Sequence, residues 1–134
     1  MIDCLIIGDS IAVGTHTVRK ECVAYATGGW NSKQWNKKYL NNNLSAKTVI
    51  ISLGSNDHQF IQTRAELEKL RDKIDNSSKV YWIVPAIKEH IQEIVKQIAK
   101  DNGDILIPIT KLQTDGIHPS SAGYKEIAEK TKQP

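Results

Sequence analysis

Little in this chain is set aside for cross-linking or for metal. Of its 134 residues only two are cysteine, and no CxxC pair or metal-spaced histidines accompany them. That excludes a disulfide-dense scaffold and a zinc site. Cys4 lies in a first apolar run and Cys22 opens a second, so both are read as free thiols packed as small hydrophobes. Long apolar runs are also missing. No stretch approaches the roughly 20 residues needed to span a bilayer, so no membrane span is expected. The opening Met1-Ile2-Asp3-Cys4-Leu5-Ile6-Ile7 has neither a basic lead-in nor a long apolar stretch of the signal-peptide kind, which points to the cytoplasm. Charge of one sign is scarce too. The net charge is +3, carried by lysines scattered over the expected helices, and no nucleic-acid partner is expected.

What is present, 40% hydrophobic and 25% charged residues, is the composition of an ordinary globular protein, and the length suits one domain over 1–134 and one site. Apolar runs rich in Ile and Val recur at 2–7, 22–26, 48–53, 80–84 and 105–107. Between them the spacing predicts helices. One covers 32–40. Another covers 63–74, with Leu67, Leu70 and Ile74 on one face and Thr63 and Glu66 as a capping box. A third covers 87–99 and stops at Asp101-Asn102-Gly103, and a last one begins after His118 with Pro119 in its first turn. The polar end, 130–134, is expected to fray.

Strands alternating with helices at this spacing make a three-layer α/β/α, flavodoxin-like fold, with a five-stranded parallel sheet in the order 2-1-3-4-5. The ligand crevice of such a sheet lies at the carboxyl ends of its strands, where the winding reverses between strands 1 and 3.

Four loops at that edge carry candidate chemistry. The first reads Gly8-Asp9-Ser10-Ile11-Ala12-Val13-Gly14. It fits neither GxGxxG nor a P-loop nor GxSxG, which leaves a serine at a helix start, where an N-cap is the bland alternative. Asp115-Gly116-Ile117-His118 puts a carboxylate three residues before an imidazole, close enough to fix its tautomer and leave the other nitrogen free for a hydroxyl proton. A plain Asp-Gly turn is the competing account. Gly54-Ser55-Asn56-Asp57 ends the third apolar run and can aim the Asn56 amide at the crevice; Thr27-Gly28-Gly29-Trp30 follows the second and can offer a backbone N–H.

Taken together and in this order, these blocks resemble the SGNH hydrolases, the GDSL esterases and lipases, over nearly the whole chain. The resemblance implies Ser10 as nucleophile, His118 as base and then acid, and Asp115 orienting His118. It also implies an oxyanion hole from the Ser10 N–H, the Asn56 side chain and a glycine N–H. Gly29 is the favoured glycine, because the family commonly has a serine three residues later, as Ser32 stands here, although the doublet leaves Gly28 open. Asp9 and Asp57 are expected to make supporting hydrogen bonds.

Gly28, Trp30 and His58 are candidate substrate contacts, whereas His90 reads as a surface residue and Trp82 as core. The acyl chemistry is complete without a metal or other cofactor. The connections after Asp57 and Pro85 are short, which leaves an open crevice suited to a short acyl ester, acetyl-like, on a small molecule or a carbohydrate, handled by a monomer. The alternatives are a lipid-type acyl hydrolase or thioesterase and a non-catalytic flavodoxin-like binding module.

Overall fold

Alternation along the first strand sorts its side chains between two cores. In the computed structural model, which describes residues 1–132, β1 spans Ile2–Gly8. Leu5 and Ile7 join a cluster with Trp35, Val49, Ile51, Leu67, Leu70, Val80, Trp82 and Val95, while Cys4 and Ile6 join another with Ile11, Ile50, Tyr81, Ile83 and Ile107. A strand buried on both faces must read as a continuous apolar run, as this one does.

The remaining elements are α1 (Ser10–Val18), β2 (Val23–Ala26), α2 (Ser32–Tyr39), β3 (Ala46–Ser52), α3 (Thr63–Asp72), β4 (Lys79–Ile83), α4 (Glu89–Asn102), β5 (Ile105–Ile107) and α5 (Ser121–Lys130). All strand pairs are parallel, in the order β2-β1-β3-β4-β5. Helices α2, α3 and α4 supply the first cluster, and α1 and α5 the second. The three-layer architecture and the strand order agree with the sequence reading. Each fully buried Ile, Leu or Val contributes about 1.5–3 kcal/mol, so the two clusters are the main source of stability.

Several local expectations are corrected. Cys4 and Cys22 are not free: they form a disulfide, with Cα atoms 4.7 Å apart. The register explains the pairing, because Leu5 lies beside Val23 and the preceding residues are therefore neighbours across the two strands. Thr63 does not cap α3. Its hydroxyl goes to Asp57, and the N-cap, Gln62, makes no side-chain cap bond. Pro119 precedes the last helix instead of opening it, with Ser120 as the N-cap accepting from the Gly123 N–H. Nor is the polar end loose from Lys130 on: Lys130 closes α5, and Thr131 is buried against the Arg19 guanidinium at 2.6 Å. Residues 133 and 134 lie outside the described residues.

The core also holds an ion pair. Arg71 of α3 binds Asp104, just before β5, through two N–H groups at 2.8 and 3.1 Å, and the Trp82 indole N–H donates to the same carboxylate at 2.9 Å. No described helix is long and apolar enough to cross a membrane.

Candidate active site

At the switch point the carboxyl ends of β1 and β3 pinch together. Gly8 has φ +145°, and a Cβ there would overlap the Ser52 carbonyl oxygen, so only glycine lets the chain turn out of β1 at this point. Asp9 follows, fully buried. Its Oδ1 accepts from the Ile11 N–H at 3.0 Å and from the Ser52 hydroxyl at 3.2 Å, which caps α1 and ties it to β3. Burial raises the Asp9 carboxyl to about 6 despite these bonds, and its Oδ2 has no hydrogen-bond partner.

Ser10 is thereby placed as the first residue of α1, half-buried, with its hydroxyl at the crevice. Its Oγ stands 2.8 Å from His118 Nε2, across 108 residues of sequence. The other ring nitrogen, Nδ1, is 2.7 Å from Asp115 Oδ2. Oδ1 of Asp115 accepts from the Ile117 and His118 backbone N–H groups at 2.9 and 3.0 Å. Those two bonds, followed by the imidazole, lower the carboxyl to about 2, so Asp115 is ionised at any ordinary pH. An ionised carboxylate only accepts, so Nδ1 carries the proton toward it and the Nε2 lone pair faces Ser10.

The loop bearing this pair is held from both sides. Gln113 N–H donates to the His118 carbonyl at 2.8 Å, and Ser120 N–H to the Lys111 carbonyl at 3.0 Å, around an antiparallel bridge between Leu112 and Pro119.

The other two loops meet beside Ser10. A Cβ added to Gly28 would stand 3.8 Å from the Ser10 Cβ, while Gly29, at φ +79°, turns into open space. Asn56 Nδ2 donates to the Trp30 carbonyl at 3.0 Å, joining the turn after β3 to the turn after β2. Asp57 accepts the Ser32 N–H and hydroxyl at 2.8 and 2.6 Å and the Thr63 hydroxyl at 2.8 Å, so one buried carboxylate anchors the starts of α2 and α3.

A residue for which the sequence held no signal completes this turn: the Lys88 ammonium donates to the Ser55 and Asp57 carbonyls, each at 2.8 Å. Its bonds join residues more than 30 positions apart, and no local motif announces them.

Trp30 is half-buried, its ring tilted against Tyr39, and with Gln34, Lys37 and Lys38 it lines a hollow of about 310 Å³. His58 is exposed; its Nδ1 accepts from the Phe60 N–H at 3.2 Å. Its hydrogen bonding is thus within its own loop and not to Ser10 or His118. His90 is exposed and Trp82 fully buried, as expected. A larger recess of about 410 Å³ lies beyond β4 and β5, walled by Val84, Pro85, Leu106, Ile109 and Leu112 among others. Among the described residues no three His, Cys, Asp or Glu side chains gather as a metal site.

No family model matches the chain, and no curated protein matches it at a significant level. Solved structures do. A member of the lipolytic G-D-S-L family from Veillonella parvula superimposes with a TM-score of 0.69 at 14% identity, covering 97% of this chain and 96% of that one. The C-terminal catalytic domain of Streptococcus pneumoniae peptidoglycan O-acetyltransferase A gives 0.68 at 21% identity, covering 96% and 89%. A Clostridium thermocellum family 3 carbohydrate esterase gives 0.52 at 14% identity, covering 96% and 92%. The fold is therefore that of the SGNH hydrolases.

Proposed function

We propose that the chain is a serine esterase that removes a short, acetyl-like acyl group from a small molecule or a carbohydrate, acting as a single domain and a monomer without a cofactor. The observation that carries this reading is the unbroken chain from Ser10 Oγ to His118 Nε2 at 2.8 Å and from His118 Nδ1 to Asp115 at 2.7 Å.

In the first half-reaction His118 Nε2 takes the hydroxyl proton as Ser10 Oγ bonds to the ester carbonyl carbon. Asp115 stabilises the imidazolium that forms. The carbonyl oxygen becomes an oxyanion, received by the Ser10 N–H at the start of α1, the Asn56 amide and the Gly29 N–H. Donors already in place at such a centre each lower the barrier by about 3–4 kcal/mol. The intermediate collapses, the C–O bond to the alcohol breaks, and His118 returns its proton to that alcohol. Water, deprotonated by His118, then releases the acid from the acyl-enzyme.

Support for a short acyl group comes from the short connections between Asp57 and α3 and between Pro85 and α4. Support for a carbohydrate carrier comes from the half-buried Trp30, whose carbonyl is bonded to Asn56 and whose ring borders an open hollow, with Gly28 beside it against Ser10. His58, exposed in the loop after β3 that carries Asn56, is proposed as a further substrate contact. Two of the similar structures are named as acting on carbohydrate or peptidoglycan acyl groups, one of them as a transferase, so an alcohol in place of water is an alternative final acceptor.

A second reading, a lipid-type acyl hydrolase or thioesterase, is favoured by one feature, the apolar recess walled by Leu106, Ile109 and Leu112, because Leu112 bridges to Pro119 beside His118. On location, the cytoplasmic expectation rests on the first residues alone, and the Cys4–Cys22 disulfide favours an oxidising compartment instead.

The test is a fluorophosphonate probe followed by mass mapping of the labelled peptide. Label on Ser10, with loss of label and of p-nitrophenyl acetate turnover in Ser10→Ala, supports the reading. Full turnover in a folded Ser10→Ala protein overturns it.

A further inference from the structure

The turn that carries Asn56 is held by a cation in a backbone conformation that a lysine rarely adopts. Lys88 is the one non-glycine residue with positive φ among the described residues, at φ 64° and ψ 83°. It precedes the first turn of α4 and makes no side-chain cap bond there. Its side chain reaches the β3 turn instead, where the ammonium binds the carbonyls of Ser55 and Asp57 at 2.8 Å each, the residues on either side of Asn56.

Glycine would take this left-handed conformation without steric cost. A lysine at such a position is explained if its side chain is required, because strained backbone persists where the surroundings over-determine it, commonly at functional sites. Hydrogen bonds from a charged donor are shorter and stronger than neutral ones, which suits the ammonium to fixing two carbonyls at once. The turn is then held at three points: by Lys88 on both sides of Asn56, by Asp57 on Ser32 and Thr63, and by Asn56 itself on the Trp30 carbonyl. Of these, only Lys88 acts on the backbone immediately flanking Asn56.

We propose that Lys88 is a positioning residue for the oxyanion hole: it fixes the Asn56 turn so that the amide meets the charge developing on the substrate carbonyl oxygen. The proposal rests on the assignment of Ser10 and Asn56 above. An action of this kind is exerted on the transition state and not on ground-state binding, so it belongs in kcat and not in KM.

The experiment compares wild type with Lys88→Gly, Lys88→Arg, Asn56→Ala and the Lys88→Gly/Asn56→Ala double variant, on p-nitrophenyl acetate with thermal unfolding measured alongside. Lys88→Gly removes the clamp while suiting the backbone, two effects of opposite sign, so the variant should still fold cooperatively, and the unfolding curve checks this. Its kcat should fall by about 10- to 100-fold with KM within about twofold, the scale expected when a catalytic group is misplaced by a fraction of an ångström to an ångström. Lys88→Arg keeps a charged donor and should recover part of the loss. In the Asn56→Ala background the glycine change should cost little more, because the group it positions is gone. A glycine variant with unimpaired kcat, in an enzyme that Asn56→Ala impairs, overturns the role of Lys88 and leaves the esterase reading intact. Losses that simply multiply in the double variant, or that fall in KM, overturn it as well. A wild-type protein that fluorophosphonate does not label at Ser10 overturns both.

Discussion

Asn56 Nδ2 donates to the Trp30 carbonyl at 3.0 Å. A primary amide has two N–H bonds, so holding one on a fixed backbone oxygen sets the direction of the other. The bond therefore orients the second N–H in advance, as the oxyanion role proposed for Asn56 requires.

The expected consequence is that Asn56→Ala lowers kcat by about 10²- to 10³-fold and changes KM little. Steady-state kinetics on p-nitrophenyl acetate measure both. A rise in KM at constant kcat would make Asn56 a binding residue instead.

Asp9 should impose a pH dependence on stability. Its folded-state carboxyl is raised from 3.8 to about 6, chiefly by burial. A raised carboxyl binds its proton more tightly in the folded than in the unfolded chain. The associated stability is present below the unfolded value and is lost as pH climbs through about 6. Asn at this position keeps an acceptor for the Ile11 N–H and does not titrate. Comparing urea unfolding of wild type and Asp9→Asn cancels the titrations they share. Between pH 4 and pH 7.5 the wild type should lose stability relative to the variant, by at most roughly 3 kcal/mol. Parallel pH profiles would show that the buried carboxyl makes no such contribution.

How far the molecule was legible in its residues depended on the range of the interaction. All five strands emerge within two residues of their observed ends; for strands 1, 3 and 4 the reason is that burial on both faces demands an Ile- and Val-rich run. Ser10, His118 and Asp115, which the structure links by hydrogen bonds, could be singled out as candidates because block order and spacing survive without any knowledge of packing. Most of the misreadings came from partners that the local pattern does not show, several of them distant in sequence. Thr63 has the local look of a capping residue, but Asp57 competes for its hydroxyl and prevails. Cys4 and Cys22 pair because of a strand register that no local pattern contains. Lys88 looked like any other surface lysine until the fold brought the Ser55 and Asp57 carbonyls to it.

The buried Arg71–Asp104 pair belongs to the same group, and it gives a prediction about stability. Both side chains are 3% exposed, and they join α3 to the segment before β5. Arg71→Met leaves Asp104 buried with only the Trp82 N–H, a change expected to cost about 3–5 kcal/mol. Replacing both partners, Arg71→Met with Asp104→Leu, should recover much of that loss, because an apolar pair leaves no charge uncompensated. Denaturant midpoints for the two variants decide the matter. If the double variant is no better than the single one, the pair is held for its geometry and not for charge compensation.

Acyl length separates the two functional readings. Each methylene buried against an apolar wall contributes about 0.8 kcal/mol, and one left in water contributes nothing. Few residues separate Asp57 from α3 and Pro85 from α4, which leaves little chain to wall the crevice beside Ser10, so kcat/KM on p-nitrophenyl esters is expected to be highest from acetate to butyrate and to fall by octanoate. The recess beyond β4 and β5 provides the competing outcome. Its volume, about 410 Å³, is ample for an acyl chain, and Leu112 lies on the loop that holds His118. A chain that reached it would make octanoate better than acetate, and Leu112→Ala would then reduce that advantage while leaving acetate turnover unchanged. Short-ester preference unaffected by Leu112→Ala supports the acetyl-like substrate. A long-ester preference that Leu112→Ala removes would overturn it in favour of the lipid-type or thioester reading.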